Sequence, residues 1–252
     1  TSPRQRPTLP GVQRLMIAAL LSATPLSAQP AAWPLSQTEQ ADPAVPPVIP
    51  LRDRARIEDK WLAERLDSIA LPLMREAGVD MWILVAREYV DDPVLKTMLD
   101  GENFTARRRT ILVFTDRGEG KPPERLTVSR YGLGGLFEPS WNPEQQPDQW
   151  ARLAELVAER DPKRIAVNIS PETAFADGLT AGQYQELRAA LPAPYADRLV
   201  PAGPLAVNWL ETRTPGEMAL YPMIVRTAHA IMAEGLSSKA ITPGVTTVAD
   251  LE

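Results

Sequence analysis

The sequence predicts an α/β domain with a largely parallel or mixed sheet flanked by helices, followed by a segment that is helical throughout. Three observations carry this prediction. Two apolar runs of strand length, MWILVA at 81–86 and RTILVFT at 109–115, are continuous enough to be buried on both faces. Segments with apolar residues at helical spacing alternate with strand patterns over about 150 residues. Beyond Pro204 the strand pattern stops and helical spacing alone remains.

The first helix follows from RARIEDKWLAERLDSIALPLMREAG, where Ile57, Trp61, Leu62, Leu66, Ile69 and Leu73 share one side. Gly78 stops it, and Pro72 is expected to kink it. After the strand at 81–86, Asp91, Asp92 and Pro93 open a short helix expected to reach Leu99. The strand at 109–115 is followed by RLTVSRY, whose alternation suits a strand beside it, and by the glycine-rich turn YGLGGLFE. A helix from Pro147 to Arg160 carries Trp150, Leu153, Leu156 and Val157 on one side. RIAVNIS is then a strand, AGQYQELRAAL a helix and RLVPA a last short strand. PLAVNWLETR forms a short helix, and Thr214, Pro215 and Glu217 begin a long one by capping box and first-turn proline. Its stripe of Met218, Tyr221, Val225, Ala228 and Met232 requires a covering surface. ITPGVTTVADLE gives a turn, then a helix starting at Val248 with Thr246 or Thr247 as cap.

Composition sets the remaining bounds. With 252 residues, 44% hydrophobic and 23% charged, the chain can bury a core of one or two domains. Ten of its 26 prolines lie in the first fifty residues, where apolar periodicity is weak, so 29–50 reads as a proline-rich linker outside the folded domain. Ahead of it, Arg4, Arg6 and Arg14 precede an apolar run ending in small residues, the layout of a secretory signal peptide over 1–28. Cleavage fits best after Ala28, with Ala32 as the alternative. The run is short and broken by Thr24 and Pro25, which argues against a permanent membrane span.

Loss of residues 1–28 removes three arginines and no acid, moving the formal charge from -5 to -8. An acidic mature chain argues against a nucleic-acid partner, which needs a basic face. The run Arg107, Arg108, Arg109 reads as a solvated strand end. With no cysteine, disulfides, thiolate nucleophiles and cysteine metal sites are excluded. Export without cysteine suits a bacterial periplasm or secretion from such a cell.

Chemistry is sparse in the sequence. The one histidine, His229, stands at the border of the long helix stripe and reads as a packed or capping side chain. HExxH, GxSxG, GxxxxGK[ST] and calcium-loop spacings do not occur. The acids on the helices are interleaved with Lys and Arg, as on exposed faces, and Asp91 and Asp92 suit capping better than a metal pair. Arg87, Glu88, Tyr89 and Asp92 are the candidate substrate-binding residues, because they follow the carboxyl end of the strand at 81–86, where open α/β sheets present ligand-facing loops. The competing reading is a solvated strand-to-helix connection.

Taken in order, LVAREYVDDPVLKTML, TARRRTILVF, WNPEQQPDQWARL, ADGLTAGQY, NWLETRTPGEMALYP and ITPGVTT resemble a bacterial Xaa-Pro aminopeptidase of the pita-bread metallopeptidase group, which also contains prolidase and creatinase. The resemblance runs from about Leu51 to Glu252. It implies a creatinase-type amino-terminal α/β domain over 51–205, then, over 206–252, the first helices of an incomplete α+β pita-bread domain. The activity it implies is hydrolysis of the peptide bond before proline in proline-containing peptides. Two divalent ions, commonly manganese, are held in that family by two aspartates, one histidine and two glutamates, and they activate a bridging water. All five ligands fall after the PGVT turn, so no catalytic or metal residue is assigned here, and Asp250 precedes the place of the first. The 252-residue chain is therefore expected to bind no metal and to be inactive by itself, as the front part of a longer enzyme. A homodimer, with the amino-terminal domain shaping substrate access, is also implied. The alternatives from other classes are a non-catalytic creatinase-type binding or dimerisation module and a pseudoenzyme.

Overall fold

The computed structural model describes residues 48–252. The expected signal peptide and all of the proline-rich linker before Val48 lie outside the described residues.

Strand β1 (Met81–Arg87) has both edges paired and both faces covered, which is why six consecutive residues of it are buried. It runs antiparallel to β2 (Arg109–Thr115) along its whole length, with Met81 opposite Thr115 and Arg87 opposite Arg109. Its other edge is parallel to β5 (Ile165–Val167), which is in turn parallel to β6 (Leu199–Pro201). Beyond β2 lie β3 (Glu124–Thr127), antiparallel to it, and β4 (Glu138–Pro139), parallel to β3. The six-stranded sheet, in the order β4-β3-β2-β1-β5-β6, is therefore mixed. Both edge strands are two or three residues long and contain a proline, Pro139 or Pro201, which leaves little edge for another chain to pair with.

Alternate residues of β1 enter two cores. Trp82, Leu84 and Ala86 meet Leu62 and Leu66 of α1 (Leu51–Ser68), Met74 of α2 (Ala70–Glu76), and Leu205 and Trp209 of α6 (Gly203–Glu211). Met81, Ile83 and Val85 meet Leu153, Leu156 and Val157 of α4 (Gln149–Arg160) and Leu187 of α5 (Ala181–Ala190). On the first face the aromatic rings form a chain. Trp82 stacks on Phe114 at 5.6 Å between centroids and meets Trp209 edge-on at 6.4 Å.

The expected kink falls at Ile69 rather than at Pro72 itself. Proline clashes with the carbonyl four residues earlier, here that of Ser68, so the helix breaks just after that carbonyl and restarts as α2. Gly78 closes α2 at φ 63°, with its N–H on Arg75 O and the Val79 N–H on Met74 O, a Schellman arrangement that only a residue at ease in the left-handed region forms cheaply. Helix α3 (Pro93–Lys96) is shorter than expected, ending in a turn before Leu99. RLTVSRY pairs with β2 from Arg125 to Thr127, after which the chain turns through Gly134 and Gly135, both at positive φ, into β4, which has too little patterning to be read in sequence.

Helix α7 (Pro215–Gly235) starts with both bonds of the expected capping box. No residue of it is buried, and Met218, Tyr221, Val225 and Met232 of the expected stripe are exposed together with Ile224 and Ile231. The helix expected from Val248 is a single 3-10 turn, Val248–Asp250, capped by Thr247. Among the described residues no helix is long and apolar enough to cross a membrane.

One ion pair ties the two sides of the second core. Arg160 of α4 donates to both oxygens of Glu124 on β3, and this bond is the main reason the Glu124 carboxyl lies below its ordinary value of 4.5. A depressed folded-state pKa gives stability that is present above the ordinary value and lost as pH falls through the depressed one. Glu124→Gln is thus expected to remove less than about 1 kcal/mol near neutral pH, the pair being partly exposed, and less than that at about pH 3. Urea unfolding at the two pH values checks this.

Candidate functional site

The carboxyl ends of the parallel strands β1, β5 and β6 are where an α/β sheet offers a crevice. Here that place is filled. Asp92 follows β1 and points inward, where its Oδ1 accepts the Val94 and Leu95 N–H groups at 2.8 and 2.9 Å and so caps α3. Asn168 follows β5 and donates through Nδ2 to Asp92 Oδ2 at 2.9 Å, while its Oδ1 accepts the indole N–H of Trp82 at 2.9 Å. Gly178 lies against the Asp92 carboxylate so closely that a Cβ there would overlap it. Asp92 is 0% exposed, and burial, the largest influence, pushes its carboxyl above the ordinary 3.8 against the downward pull of its three N–H donors.

The four sequence-predicted residues therefore part company. Arg87 and Tyr89 are exposed on the turn that leaves β1, Glu88 is half-buried beside them, and Asp92 holds the turn from behind. The turn is set by three bonds, Val90 N–H to Arg87 O at 2.9 Å, Arg87 N–H to Val90 O at 3.3 Å and Glu88 N–H to Arg108 O at 2.8 Å. Tyr89 and Arg108 both have positive φ, 69° and 55°, an unusual conformation for side chains of that size. Asp91 does not share the capping role; its carboxylate accepts the Ala106 N–H at 2.9 Å. Of the arginine run, Arg107 and Arg108 are exposed, whereas Arg109 is pinned between Glu186, at 2.7 Å, and the Trp150 ring, at 4.5 Å.

The open clefts are elsewhere. One of about 390 Å³ lies between α1, α3 and the α6–α7 connection, lined by Trp61, Arg65, Lys96, Arg213 and Glu217 among others. A neighbour of about 500 Å³ shares Glu58, Lys96 and Leu99 with it and extends to Phe104. Neither touches Arg87, Glu88, Tyr89 or Asp92. Arg65 is the residue that sequence reading passes over. The Thr214–Glu217 capping spacing is visible in the sequence, but nothing in the helix pattern marks Arg65 as its partner.

Chemically, these surfaces can bind and orient. Among the described residues no three His, Asp or Glu side chains gather where they could hold a metal ion, and His229 is exposed on α7. The described residues thus do not fit a two-metal centre.

Fold and clefts define an α/β unit of mixed six-stranded sheet carrying a helical extension. No family model matches the chain, and no curated protein matches it. Among solved structures it is similar to a Xaa-Pro dipeptidase from Bacillus anthracis, at 18% identity and a TM-score of 0.47, covering 79% of this chain and 48% of that one. The chain thus spans about half the length of that enzyme. The likeness is too distant to assign a family.

Proposed function

We propose that the chain is the amino-terminal portion of an exported, metal-dependent aminopeptidase that hydrolyses peptide bonds preceding proline. Residues 51–205 are read as its creatinase-type domain and 206–252 as the start of a pita-bread catalytic domain. The metal pair, commonly manganese in that family, is assigned to sequence after Glu252. The α/β unit makes homodimer contacts and narrows substrate access, and the β1–α3 turn with Arg87, Glu88 and Tyr89 is the part of it offered for that role.

The observation that carries this reading is the ordered set of motifs from LVAREYVDDPVLKTML to ITPGVTT. The apolar, exposed face of α7 is consistent with it, since contiguous apolar patches of that kind mark surfaces that another body covers. The test is an assay of the product of the longer reading frame against Xaa-Pro peptides of two or more residues. Manganese-dependent release of the residue before proline is expected, and its absence at saturating manganese would refute the proposal.

A further inference from the structure

Arg65 lies on α1 with its side chain 9% exposed, and it reaches across to the segment that joins α6 to α7. Its Nη2 donates to Trp209 O, and its Nη1 to Thr212 O at 2.6 Å. Both are carbonyls at the end of α6, where helices lack internal partners. The same Nη1 faces the two Glu217 oxygens at 3.1 and 3.0 Å, and the guanidinium lies 4.4 Å from the centre of the Trp209 ring. Glu217 in turn accepts the Thr214 N–H at 2.7 Å, closing the cap of α7. One residue earlier on α1, Glu64 accepts the Gly216 N–H at 3.3 Å, and a Cβ on Gly216 would run into that carboxylate. One planar cation therefore terminates α6, starts α7 and stacks on the core tryptophan.

We infer that Arg65 is the joint that locks α7 to the α/β unit, so that α1, α6 and the first turns of α7 behave as one body. Only a forked, planar donor can serve these acceptors while stacking on a ring; a lysine ammonium is a point donor on a flexible stem. Under the peptidase reading, on which this second part rests, Arg65 is a positioning residue. It sets how the α/β unit stands over the catalytic half and so how a peptide enters, without touching the peptide.

Hydrogen exchange on the 252-residue chain tests the joint. In Arg65→Met, amides of Gly216, Glu217 and Met218 are expected to exchange about tenfold or more faster, while those of β1 stay within about twofold of wild type. Arg65→Lys is expected not to rescue them. Glu217→Gln keeps an acceptor oxygen for Thr214 and Arg65, so its effect is smaller, about threefold, and it serves if Arg65→Met fails to fold. Unchanged exchange at 216–218, or an equal rise in β1, overturns the joint. In the longer enzyme, Arg65→Met is expected to raise KM for an Xaa-Pro peptide about tenfold with kcat retained. An unchanged KM overturns the positioning role. A wild-type enzyme that hydrolyses nothing, while exchange at 216–218 still rises in Arg65→Met, sinks the peptidase reading and leaves the joint standing.

Discussion

Trp82→Ala is expected to lower the unfolding free energy by about 4 kcal/mol, a large fraction of what a domain of this size holds. The indole is 0% exposed at the centre of the sheet, between the Phe114 and Trp209 rings. Its removal leaves a cavity that β1 cannot collapse into, because β1 is bonded on both edges. It also takes the N–H donor from Asn168 Oδ1, which is itself buried. Trp82→Phe keeps most of the ring and loses the donor, for an expected loss of about 1 to 2 kcal/mol. Equilibrium urea unfolding reads both, and a loss below about 1.5 kcal/mol for the alanine variant would mean that this core is not packed as described.

Asp92→Ala is expected to cost about 3 kcal/mol. About 1 kcal/mol is the lost helix cap and the rest the Asn168 amide left without its acceptor in a buried place. Asp92→Asn keeps a side-chain oxygen as cap and is expected to cost about 1 kcal/mol. Its pH dependence is distinctive. Burial raises the folded-state pKa of Asp92 above 3.8, so the folded chain binds more protons than the unfolded one between those two values. Stability from this group therefore falls as pH rises through that window, opposite in sign to Glu124, and Asp92→Asn should abolish the fall. Because Trp82 and Asp92 meet at Asn168, the double alanine variant is expected to lose less than the sum of the singles.

Much of the fold is legible in the sequence where burial is one-sided or complete over several residues. The run at 81–86 reads as a buried strand because six apolar residues in succession fit a strand covered on both faces. Gly78, Thr214 and Glu217 announce helix ends through local chemistry, and they sit where expected. What sequence reading misses is set by contacts distant along the chain. β4 is two residues that exist by pairing with β3. Asp92 is read as ligand-facing from its place after a strand, but Asn168, 76 residues later, draws it inward. Arg65 looks like one more charge on an amphipathic helix until Thr212 and Glu217, about 150 residues on, come to meet it. The helical face of α7 is visible in both sequence and structure, and its patterning implies a covering surface without saying which.

Metal content is the most direct test of the proposed peptidase reading. After equilibration with manganese and removal of the excess, the 252-residue chain is expected to retain none and the longer product two ions per chain, with Xaa-Pro hydrolysis accompanying the ions. Two tightly held manganese ions on the 252-residue chain, or Xaa-Pro hydrolysis by it alone, would contradict the account.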